Sequence, residues 1–120
     1  MSSPPLRVLL VEDEFMIAEF IAGLLTARGM VVAGQVGTIA EALTAIETTA
    51  FDCAVLDVNL NKESIAPVAD RLAATGKRYV FLTGYGRHRL PAGHGHVDCV
   101  GKPVKIHELV AAITGNKALS

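Results

Sequence analysis

The chain alternates between two hydrophobic periods, and this constrains its fold more than any other feature. Five short runs are rich in β-branched and aliphatic residues: "LRVLLV" (6–11), "MVVAGQV" (30–36), "DCAVLD" (52–57), "RYVFLT" (78–83) and "VDCVG" (97–101). Between them lie stretches whose apolar residues recur at helical spacing. Ile17, Ile21, Leu24 and Leu25 share one helix face, and Gly29 follows as a C-terminal stop. Ile39, Ala42, Leu43 and Ile46 repeat the pattern, with Thr38 and Glu41 spaced as a capping box. Ser64 is placed to cap a third helix, with Pro67 in its first turn, where a missing N–H matters little. Ile106, Leu109, Val110 and Ile113 form the buried stripe of the last helix. Strands alternating with helices predict βαβ units, hence an α/β fold with a five-stranded, parallel, doubly wound sheet. The central runs are almost wholly apolar, as a sheet covered on both faces requires.

One interval breaks the alternation. "GYGRHRLPAGHGH" (84–96) holds four glycines and a proline where a helix would otherwise stand. A loop with at most a turn of helix is expected there, and such a segment is cheap to reorder. At 120 residues the chain is expected to form one domain spanning 1–120, and its 51% hydrophobic content excludes a disordered chain. A formal net charge of −1 argues against nucleic acid as a partner. No apolar run approaches the roughly 20 residues needed to span a bilayer. "MSSPPLRV" lacks the charged and apolar regions of a signal peptide. A cytoplasmic location without membrane contact is therefore expected, with Cys53 and Cys99 reduced inside apolar stretches.

The ends of the strands carry the chemistry. The first runs straight into Glu12-Asp13-Glu14, the third ends in Asp57, the fourth in Thr83, and the fifth just before Lys102-Pro103. In an open parallel sheet, carboxyl ends gather at one edge, where ligands bind. Taken singly, each residue is also a plausible cap, turn or surface residue. Together they predict an anionic pocket that repels itself unless a cation or proton intervenes. Hard oxygen ligands with room for water suit Mg²⁺. The matching chemistry is phosphoryl transfer, with Asp57 as nucleophile, Asp13 and Asp57 holding the metal, and Lys102 and the Thr83 hydroxyl on phosphoryl oxygens.

In "VEDE", "VLDVNL", "FLTGYG" and "GKPV", in that order and on strand ends, the sequence resembles response-regulator receiver domains over essentially its whole length. The resemblance implies a flavodoxin-like sheet of strand order 2-1-3-4-5. It implies Asp57 as phosphoacceptor and Glu12, Asp13, Asp57 and the Asn59 backbone carbonyl as Mg²⁺ ligands. It makes Thr83 the switch hydroxyl, Lys102 the lysine of the site, and Pro103 the residue that follows through what is usually a cis peptide. It also implies a histidine kinase or phosphotransfer protein as phosphoryl donor and a downstream protein as partner.

The family usually carries an aromatic three residues before its lysine; Cys99 stands there instead, and Tyr85 follows the switch threonine. With the shortened or irregular fourth helix, this resembles the stand-alone FATGUY subclass, with Tyr85 as a switch residue. Met1 and the short tail add to the expectation of a single-domain regulator. The alternatives are a receiver cut from a larger hybrid kinase or regulator, and a small aspartyl-phosphate phosphohydrolase. The second acid such a hydrolase carries two residues after its nucleophile is here Asn59. Elsewhere, "HGH" (His94, His96) near Cys99 fits a turn better than a metal site, and His88 and His107 read as surface residues.

Overall fold

The computed structural model describes residues 4–84 and 90–115. Among these, the chain runs β1 (Arg7–Val11), α1 (Phe15–Ala27), β2 (Val31–Val36), α2 (Ile39–Thr48), β3 (Cys53–Asp57), β4 (Asn59–Leu60), β5 (Glu63–Ser64), α3 (Ala66–Ala74), β6 (Arg78–Thr83), β7 (Cys99–Gly101) and α4 (Ile106–Thr114). Five strands form a parallel sheet of order β2-β1-β3-β6-β7, and β4 and β5 form a separate antiparallel hairpin. With the hairpin set aside, the sheet order is the expected 2-1-3-4-5.

The two-residue period of the strands sorts their side chains onto two cores. Leu9, Val11, Ala54, Leu56 and Phe81 face α2 and α3. Val8, Leu10, Cys53, Val55, Val80 and Leu82 face α1 and α4. A polar residue at any of these positions would be stranded in one core or the other, which explains the unbroken apolar runs. The register pairs Val11 with Leu56, Asp57 with Leu82, and Thr83 with Gly101, so the carboxyl ends lie at one edge.

The helix signals of α1 and α2 act locally as expected. Thr38 Oγ1 accepts from the Glu41 N–H at 3.0 Å, while Glu41 Oε1 accepts from the Gly37 N–H at 3.1 Å, closing the box one residue upstream of the cap. Gly29 follows α1 with φ +83°, a conformation that favours glycine. At α3 the N-cap is Ile65, without a side-chain cap, rather than Ser64, whose Oγ accepts from the Ala66 N–H at 3.1 Å.

Two further features depart from the sequence reading, and a third accords with it. The last strand is confined to Cys99–Gly101, shorter than expected, because it pairs only with the end of β6. The β4–β5 hairpin has no counterpart among the expected strands. Residues 90–98 form turns and bends without helix, as the glycines and Pro91 dictate, whereas Tyr85 and the adjoining "GRHR" lie outside the described residues.

Candidate functional site

The last residues of β3 and β6 and the turns that follow β1 and β7 line one open cavity of about 610 Å³ at the carboxyl edge of the sheet. Asp13, Glu14, Asp57, Asn59, Thr83 and Lys102 line it. Asp57, the last residue of β3, is 4% exposed, and its Oδ1 takes both the Asn59 N–H at 3.1 Å and Lys102 Nζ at 3.1 Å. The carboxylate is thus oriented by two donors from opposite sides of the chain. Lys102 is brought in by its own backbone, whose N–H donates to the Thr83 carbonyl at 3.0 Å. Burial pulls the Lys102 ammonium down, but the Asp57 carboxylate beside it, with Glu12 and Glu14, more than offsets this and leaves it raised. Thr83 is buried at the end of β6, and the Lys102–Pro103 peptide is cis.

Glu12 sits beneath this pair, 3% exposed. Its Oε2 accepts from the Glu14 N–H at 3.2 Å. Its Oε1, among the described residues, has no hydrogen-bond partner and lies 3.7 Å from Lys102 Nζ. Burial first, and then contact with the Asp57 carboxylate, push the Glu12 carboxyl up to about 7. Oxygens of Glu12, Asp13 and Asp57 lie within 4.8 Å of one another. An orphaned buried oxygen in an all-carboxylate cluster is what a hard divalent cation relieves, so the donor set fits Mg²⁺.

Every site residue expected from the sequence and lying within the described residues borders this cavity or sits directly behind it, with Pro103 adjoining through Lys102. Tyr85 lies outside the described residues. Sequence reasoning missed Asn61 and Lys62, which also line the cavity from the hairpin. The only signal was a two-residue polar break in "NLNKES", without the Asn-Gly pair that marks such turns.

His94 follows a turn, as expected, and is buried, with Nδ1 2.6 Å from Tyr79 Oη and Nε2 2.7 Å from Asp70 Oδ1. His107 is exposed, and His88 falls outside the described residues. Both cysteines are free; Cys53 is buried, which pushes its thiol up to about 12, whereas Cys99 is half-buried against the α2–α3 core.

The chain is similar to known proteins in sequence and fold. Residues 8–114 match the response regulator receiver domain model. The solution structure of SdrG from Sphingomonas melonis Fr1 is 32% identical, with a TM-score of 0.80, covering 94% of this chain and 99% of that one. The BeF3-activated conformation of SdrG from Pseudomonas melonis Fr1 is likewise 32% identical, with a TM-score of 0.76 over 95% and 97%. The PhyR stress response regulator is 25% identical, with a TM-score of 0.71, over 92% of this chain but 44% of that one. No curated protein matches the chain. Receiver domains are signalling switches rather than metabolic enzymes, and by its sequence match, its sheet and its carboxyl-edge site this chain belongs to the response regulator receiver domain family.

Proposed function

We propose that the chain is a single-domain response regulator of a cytoplasmic phosphorelay, one receiver unit over 1–120, which takes a phosphoryl group from a histidine kinase or phosphotransfer protein onto Asp57. The observation that carries this reading is the buried Asp57 carboxylate held by Lys102 and Asn59 at the floor of an open acidic cavity. An Asp57 oxygen attacks phosphorus; the new O–P bond forms as the P–N bond to the donor imidazole breaks, and the electron pair leaves with that nitrogen. Lys102 follows the charge from Asp57 onto a phosphoryl oxygen, and the Thr83 hydroxyl donates to another. Asp13, Asp57 and the Asn59 carbonyl, with Glu12 directly or through water, would hold Mg²⁺. When bound, the ion neutralises charge on the phosphoryl oxygens. The same residues serve self-catalysed loss of the phosphoryl group to water.

A protein donor is supported by Phe15, Met16 and Phe20, which are 69%, 78% and 60% exposed on α1, the helix that starts beside Glu14. Large apolar side chains left in solvent next to a reaction cavity mark a surface for another macromolecule. The stand-alone FATGUY assignment rests on "FLTGYG" and on Cys99 in place of an aromatic. On it, Thr83, Tyr85 and Pro103 form the switch that a downstream protein reads. The other reading, a receiver unit of a larger regulator, is favoured by the PhyR match, in which this chain spans less than half of that one.

Incubation with acetyl phosphate and Mg²⁺ tests the proposal. Intact-mass measurement is expected to find one added phosphoryl group, and Asp57→Asn to abolish it. A full phosphoryl increment on that variant would remove Asp57 as acceptor.

A further inference from the structure

Among the described residues two lysines line the cavity, and of these only Lys102 has a role in the reading above. Lys102 is already engaged by Asp57 and Glu12. Lys62 stands at the tip of the β4–β5 hairpin and, among the described residues, makes no ion pair.

Its backbone conformation is costly for a lysine. Asn61 and Lys62 form the two-residue turn, with φ of 52° and 63°. Both are left-handed, as this hairpin type demands, and glycine fills the second position with least strain. Retaining a β-carbon there sets a cation on the wall of the cavity. The hairpin is also tied in place. Asn61 Nδ2 donates to the Gly37 carbonyl at 2.8 Å, and Gly37 lies against the Asp13 backbone.

Charge gives the lysine a task. A phosphorylated donor approaches as an anion, and the lining offers it Asp13, Glu14 and Asp57, with Glu12 behind. Lys102 is committed to those carboxylates until transfer begins. A free cation on the lining offsets the repulsion on approach.

We propose that Lys62 is a second phosphate-binding cation of this site, which holds the oxygens of the donor's phosphoryl group at the cavity mouth, with Asn61 as its positioning residue. The inference rests on Asp57 as acceptor. Lys62 makes and breaks no bond; it raises occupancy of the donor complex from which Asp57 attacks.

The test is the rate of phosphorylation against acetyl phosphate concentration, in saturating Mg²⁺, for the wild type and for Lys62→Ala, Lys62→Gly, Lys62→Arg and Asn61→Gly. For Lys62→Ala at low ionic strength, the half-saturating concentration is expected to rise about three- to tenfold with little change in maximal rate. Added salt narrows that difference. Lys62→Gly relieves the turn strain, so it keeps the hairpin and shows the same loss. Lys62→Arg retains near wild-type saturation. Asn61→Gly keeps the turn but shows a partial loss, because the lysine is no longer held over the cavity. Identical saturation curves for the wild type and both Lys62→Ala and Lys62→Gly would overturn the proposal, as would an Lys62→Arg variant as impaired as Lys62→Ala. A wild-type protein that takes no phosphoryl group would instead remove Asp57 as acceptor, and this inference with it.

Discussion

Glu12 is held in a place that suits its charge poorly. It is buried, one oxygen lacks a hydrogen bond among the described residues, and Asp57 lies against it. Lys102 offsets only part of this, since it sits closer to Asp57, at 3.1 Å, than to Glu12, at 3.7 Å. The arrangement is therefore destabilising without a further cation and stabilising with one. Glu12→Gln keeps the shape and removes the charge. In the absence of divalent cation, this variant is expected to melt several degrees above the wild type, a gain of about 1 kcal/mol. In MgCl₂ the wild type should gain stability and the variant markedly less. Thermal denaturation with and without Mg²⁺ checks both; a variant that melts lower without cation would mean Glu12 is a structural hydrogen-bonding group.

The segment between β6 and β7 replaces a helix, and its glycines suggest a stretch free to reorder from 84 to 96. Its second half is packed against the core. Leu90 packs on the core, Val97 is buried, and the His94 ring lies edge-on to Tyr79 and Phe81, with centroids 5.7 Å and 6.2 Å away. The Asp70 carboxylate only accepts, so Nε2 donates to it, and Nδ1 shares the second hydrogen bond with the Tyr79 hydroxyl. The histidine thus fastens the approach to β7 onto both α3 and β6. His94→Ala should remove the partner of the half-buried Tyr79 hydroxyl and open a cavity, costing about 2–4 kcal/mol. Amide exchange at Val97, whose N–H donates to the His94 carbonyl, should accelerate at least tenfold, while Asp57 still accepts phosphate. Unchanged exchange at Val97 would show that the backbone turn alone holds this segment.

The two cores share one sheet, so neither face can unfold without the other. Leu10 and Leu56 are fully buried on opposite faces, in neighbouring strands. Leu10→Ala and Leu56→Ala should each cost about 2–5 kcal/mol and lower the urea midpoint of one common transition. Two separate transitions by circular dichroism would mean the faces are independent. By contrast, Phe20→Ser on the exposed side of α1 should leave stability within about 0.5 kcal/mol of wild type, because that ring is already in solvent. No helix among the described residues is long and apolar enough to cross a membrane.

Strand and helix periods were legible in the sequence because they are local. An apolar residue every second or every third to fourth position reports which backbone buries it, whatever lies across the core. The placement of Glu12, Asp13, Asp57, Thr83 and Lys102 at one edge was legible for a related reason. Parallel strands point the same way, so whatever follows each of them arrives at the same end. The tertiary structure alone decided the rest. Asn61 meets Gly37 and His94 meets Asp70 across 24 residues of chain each. Nothing in "NLNKES" or "HGH" encodes those partners. The unsatisfied oxygen of Glu12 and its raised pKa likewise depend on the exclusion of water by strands that the sequence brings together only when folded.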